Sequence, residues 1–70
     1  MTPADLLELL KLRGWSQARL ARELHTEPST VSRWASGKVP MSGATEILLR
    51  QWLEAARAKA RRRREKQAVS

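Results

Sequence analysis

Seventy residues without cysteine and with one histidine make one small domain that has neither disulfides nor a zinc-type ligand set to hold it together. No apolar run approaches the roughly 20 residues of a membrane span, and the N-terminus lacks the shape of a signal peptide, so a cytoplasmic protein with no membrane partner is expected. The net charge of +7 is uneven: residues 1–56 hold seven cations against six acids, whereas residues 57–70 hold seven against one, which reads as a nearly neutral domain and a basic extension.

No strand-like alternation is present, and Leu, Ala, Arg and Glu dominate, so an all-α fold is expected, a compact helix-turn-helix bundle of about four helices. Thr2, Pro3 and Asp5 start the first helix: a hydroxyl cap, a proline in the first turn and an acid near the positive end of the dipole. It carries Leu6, Leu7, Leu9, Leu10 and Leu12 and stops at Gly14. Ser16 caps a second helix to about Leu24, with Leu20, Ala21 and Leu24 on one face. A break at His25–Glu27 precedes a third helix, opened by Pro28, turned inward at Val31 and Trp34, and ended by Gly37. Ser42 caps a fourth helix that meets no stop signal and is expected to reach about Arg64, with Lys66–Ser70 frayed.

Two short helices joined by three or four residues form a helix-turn-helix unit, within about 16–37. Stepping about 100° per residue from Pro28 puts Val31 and Trp34 together near about 300° and 240°. Pro28, Ser29, Ser32, Arg33 and Ser36 spread over the opposite arc, which holds no acid. Short hydroxyls allow close approach to base edges, and one guanidinium can fork onto guanine.

Trp15-Ser16-Gln17, Leu20-Ala21, Leu24, Ser29-Thr30-Val31-Ser32-Arg33-Trp34 and Gly37-Lys38 resemble the lambda-repressor-like (phage repressor and Cro) helix-turn-helix family, over roughly residues 3–40. The resemblance implies binding to double-stranded DNA. It implies base contacts from Pro28, Ser29, Ser32 and Arg33, and phosphate contacts from Ser16, Gln17, Thr30, Ser36 and Lys38. Two positions depart from the family pattern. His25 stands where a turn glycine is usual, and Glu27 where a small capping residue is usual. Beyond Gly37, Pro40-Met41-Ser42-Gly43 leads into one long helix, similar to small antitoxin and phage-type autoregulators of that family. This implies a dimeric repressor of its own operon on an inverted-repeat operator, with a toxin or other protein as a second possible partner.

The fourth helix is apolar over most of its circumference, with Glu46, Arg50, Glu54, Arg57 and Arg61 confined to about 80°. One small core cannot cover so wide an arc. Ala44, Ile47, Leu48 and Ala55 are therefore assigned to the core, and Leu49, Trp52, Leu53, Ala56 and Ala60 to a homodimer interface. The competing reading is that Leu49 and Leu53 cover the first helix. Arg61, Arg62, Arg63 and Arg64 exceed what a helix terminus requires and are expected on phosphates, of a DNA flank or of RNA. No Ser/His/acid set, carboxylate pair or glycine-rich phosphate loop emerges, so neither an enzyme nor a cofactor is expected. His25 is read as a turn residue, and Asp5 and Glu8 as dipole and solubility residues.

Overall fold

Helix α1, Pro3–Arg13, begins in the computed structural model, which describes residues 1–69 with side chains through Arg64, at a reciprocal cap. The Asp5 N–H donates to Thr2 Oγ1 at 3.2 Å, and the Thr2 N–H donates to Asp5 Oδ2 at 3.1 Å. Gly14 closes α1 at φ 67°, a left-handed conformation that a side chain rarely adopts. Helix α2, Gln17–Glu23, is capped by Ser16, whose Oγ accepts the Arg19 N–H at 3.1 Å. Helix α3, Pro28–Ser36, has proline in its first turn and ends at Gly37, φ 79°. Helix α4, Gly43–Val69, starts where Ser42 Oγ accepts the Thr45 N–H at 3.4 Å.

α2 packs on α3, and α1 touches both α3 and α4. All helices and no strand among the described residues make this the expected all-α bundle. The core is Leu6, Leu9 and Leu10 of α1, Leu20 and Ala21 of α2, Val31 of α3, and Leu49, Leu53 and Ala56 of α4. Each buried leucine stabilises the fold by about 1.5–3 kcal/mol of removed apolar surface, in a domain too small to spare one. Leu7 and Leu12 of α1 remain exposed.

The facing of α4 is the reverse of the expected one. Leu49 is 0% exposed and Leu53 4%, whereas Ile47 is 62% and Leu48 37%, and Ala44 and Ala55 are exposed too. Leu49, Leu53 and Ala56, expected on a partner, are thus buried in this chain's own core against α1. Trp52 is half-buried in edge contact with Trp15, ring centroids 6.0 Å apart, and half-buried Ala60 lines a groove with Leu12. The inward face adds Trp52 and Ala56 to its two leucines, so it buries more apolar area than the side of Ile47 and Leu48 would. The same phase also sets Arg57 against Glu8 and Glu46 against the amino group of Met1. The helix also continues past Arg64 to Val69, since Arg, Glu, Lys and Gln are good helix formers and no glycine or proline intervenes. Ser70 lies outside the described residues, and so does its expected fraying.

Candidate nucleic-acid interface

The α2–α3 unit is fixed from both sides. Leu20 and Ala21 lock α2 to the core, Val31 does the same for α3, and Leu24 and Trp34 are half-buried at their junction. The turn between them is closed by the His25 N–H donating to Arg22 O at 3.2 Å and the Thr26 N–H to Ala21 O at 2.9 Å. His25 takes φ 55°, the left-handed conformation where the family pattern has glycine. Glu27 sits at the N-cap of α3 without a side-chain capping bond, so the proline rather than Glu27 sets the helix start.

Once Val31 is inside, the remaining orientation of α3 follows. Pro28, Ser29, Ser32, Arg33 and Ser36 are all exposed, on one continuous face, and Thr30 is half-buried at its edge. The ion pairs among the described residues engage Arg19, Arg50 and Arg57, and Arg33 has no acidic partner there. Ser36 Oγ donates to Arg33 O at 3.0 Å, which leaves the hydroxyl oxygen as an acceptor site on the surface. The Lys38 N–H donates to Arg33 O at 3.0 Å, so α3 ends sharply and the exposed Lys38 side chain leaves beside its last turn. At the other end of the unit, half-buried Gln17 stands at the first turn of α2, where backbone N–H groups and the dipole favour an anion. Ser16 is already engaged as the α2 cap.

A second cationic surface borders that α2 terminus. The end of α1 and the far part of α4 enclose a groove of about 760 Å³ whose cations are Lys11, Arg13, Lys59, Arg63 and Arg64. Trp15 lines it, and the guanidinium carbons of Arg13 and Arg19 each lie 5.4 Å from the Trp15 ring centroid. Arg61 and Arg64 flank a neighbouring hollow with Glu8 and Arg57, and Arg62 is exposed as well. Lys11, Arg13, Arg19 and Lys59 have no contact assigned from the sequence, because the first three lie far along the chain from Lys59 and the arginine run. Only the parallel course of α1 and α4 collects three of them on one groove.

Arg57 leaves the basic set. Its Nε donates to Glu8 Oε2 at 2.5 Å and its Nη2 to Glu8 Oε1 at 3.2 Å, with Glu54 at 3.4 Å. Hydrogen bonding from Arg57 holds the Glu8 carboxyl below its ordinary range, and the same bond raises Arg57. Asp5 is lowered as well, first by the Thr2 backbone N–H and then by the Thr2 hydroxyl. This is a fastener between α1 and α4 rather than a phosphate contact.

Among the described residues no group of acidic or histidine side chains could hold a metal, and no helix is long and apolar enough to cross a membrane. No curated protein and no solved structure matches the chain significantly. The sequence model of the helix-turn-helix family, lambda repressor and Cro type, matches residues 6–45, more than half the chain and all of the α2–α3 unit. With this match joined to a buried Val31 and an open, acid-free face on α3, the chain belongs to that family of DNA-binding regulators.

Proposed function

We propose that this protein is a sequence-specific repressor that reads duplex DNA with α3 in the major groove. The observation that carries the reading is the exposed face Pro28, Ser29, Ser32, Arg33 and Ser36 on a helix whose opposite side is locked by Val31. Arg33 forks onto a guanine, Ser29 and Ser32 approach base edges, and Pro28 offers its ring to a thymine methyl. Gln17, Thr30, Ser36 and Lys38 fix register on the phosphates, together with Ser16 through the hydroxyl proton its capping bond leaves unused. Arg61–Arg64 add sequence-independent phosphate contacts along the flank. The protein acts as a homodimer on an inverted repeat, with recognition helices about 34 Å apart, and represses its own operon by occlusion.

Selection of bound duplexes from a random pool at about 0.15 M salt, where weak exposed contacts are screened, tests this. Enrichment of an inverted repeat with half-sites about one helical turn apart is expected. Binding without enrichment that disappears as salt rises would move the function to the arginine-rich end and its polyanion contacts.

A further inference from the structure

The groove between the end of α1 and the far part of α4 gathers charge that the rest of the fold leaves unneutralised. Lys11 and Arg13 stand on its α1 side, and Lys59, Arg63 and Arg64 on its α4 side. The acid that lines it is Glu8, which the Arg57 guanidinium already holds by two bonds. The ion pairs among the described residues engage none of the five cations. Like charges around one hollow repel one another, and an anion carrying several charges relieves them together.

The lining says which anion. Leu12, Ala56 and Ala60 give the groove apolar surface between its cations, and the two alanines leave it open to close approach. A sugar-phosphate strand matches this, with phosphates toward the cations and sugars on the apolar part. Trp15 also lines the groove, but its ring is in use: the guanidinium carbons of Arg13 and Arg19 lie 5.4 Å from its centroid, and Trp52 meets it edge to face. An unstacked base finds no free ring there, which puts a paired duplex ahead of a single strand or an RNA loop. The stacking also steadies the Arg13 guanidinium while leaving its edge donors for oxygen. Trp15 is followed directly by Ser16, the cap of α2, so the groove opens beside Gln17.

We propose that this groove seats the DNA backbone outside the bases that α3 reads, carrying the phosphate track from the first turn of α2 past Arg13, Lys11 and Lys59 to Arg63 and Arg64. The inference rests on the DNA reading above and deepens it: α1 and α4 grip one flanking strand together, where the sequence offered the arginine run alone. The run itself divides, since Arg63 and Arg64 line this groove whereas Arg61 lines the neighbouring hollow with Glu8 and Arg57. The stretch of DNA the protein occupies is therefore longer than the stretch it reads. A flank of any sequence adds to the affinity without adding to the specificity.

Titration of the full chain against two duplexes carrying the sequence selected above tests the proposal. One duplex ends at the outer edges of the selected site; the other continues on each side for about six base pairs, about 20 Å at about 3.4 Å per pair. The longer duplex is expected to bind about tenfold more tightly and with a steeper salt dependence. Lys11→Gln combined with Lys59→Gln should lose most of that gain and keep the preferred sequence. On the longer duplex its logarithmic salt slope should be lower by about 1.8, at about 0.9 for each phosphate contact removed. Both lysines are exposed and Gln is a comparable helix former, so circular dichroism should stay unchanged. Arg50→Gln, which removes an exposed cation near the start of α4, should keep the gain. A longer duplex that gains nothing, a gain that the double variant retains, or one that Arg50→Gln loses equally overturns the proposal. A structured RNA hairpin that wild type prefers to the longer duplex, and the double variant does not, would hand the groove to RNA instead. A chain with no preferred sequence would refute the DNA reading and this placement with it. A preferred sequence on the shorter duplex, with any of the earlier adverse outcomes, strikes the groove alone.

Discussion

α3 and α4 show opposite relations between sequence and placement. α3 is nine residues long, begins at a proline, ends at a left-handed glycine and buries a single side chain fully, Val31. Its phase is unambiguous because only one side of it is apolar. α4 is 27 residues long, is apolar on two sides, and is turned by contacts that lie outside its own sequence. Local punctuation and a narrow apolar stripe settle a helix by themselves. A wide stripe settles that a helix exists and leaves open which side faces inward.

The largest expected effect reverses if α4 is turned the other way. Leu49→Ala should cost about 2–5 kcal/mol, the range for deleting a fully buried leucine. Ile47→Ala, at a concentration where the chain is monomeric, should stay within about 0.5 kcal/mol, as for an exposed site. Urea unfolding of both variants decides it, and a larger cost at position 47 than at position 49 would mean that Ile47, not Leu49, faces α1.

The next concerns the reading face of α3 against the basic end of α4. Arg33→Ala should weaken specific binding by about 1–3 kcal/mol and relax the preference at one operator position. An equal loss on every sequence would place Arg33 on phosphate instead. Deleting residues 61–70 should leave the preferred sequence intact and flatten the salt dependence. The logarithmic slope should fall by about 0.9 for each phosphate contact removed. A changed consensus would mean that the tail reads bases.

Much of this was legible in the chain itself. Thr2, Ser16 and Ser42 act through capping hydroxyls, and Gly14, Pro28 and Gly37 through their backbone conformations, so the helix starts and stops followed from local residues. The exposed set on α3 followed from Val31 and Trp34 alone. The basic groove and the Arg57–Glu8 pair were not legible, because residues 49 apart meet only once α1 and α4 lie alongside each other. The facing of α4 failed for the same reason. Leu49 and Leu53 outcompete Ile47 and Leu48 because Leu6, Leu9 and Trp15, which lie far away in the sequence, receive them together with Trp52, and the Arg57–Glu8 pair adds to this.

His25 offers a smaller test within the helix-turn-helix unit. At φ 55° a glycine meets no Cβ penalty, so His25→Gly should raise stability by about 0.5–1 kcal/mol, net of the backbone entropy glycine loses on folding. Thermal unfolding reads this directly. A loss of stability would mean that the exposed imidazole holds the turn by a contact worth more than the strain.

The smallest effect separates the two contacts that set α4's phase, its leucines and its ion pair. Glu8 and Asp5 titrate below their ordinary range in the folded chain. Their contribution to stability is therefore present above the unfolded carboxylate pKa and is lost as pH falls through the lower folded one. Arg57 is raised, so its share would vanish only at strongly alkaline pH, and the acid side alone is observable. The Arg57 and Glu8 side chains are 39% and 42% exposed, so solvent screens the pair and the effect is modest. Glu8→Gln should be slightly less stable than wild type at neutral pH. The gap should close as pH falls below the carboxylate range, and added salt should narrow it at neutral pH. A gap that persists unchanged down to about pH 2 would show that it does not arise from the Glu8 charge, and that the leucines set the phase of α4 without the ion pair.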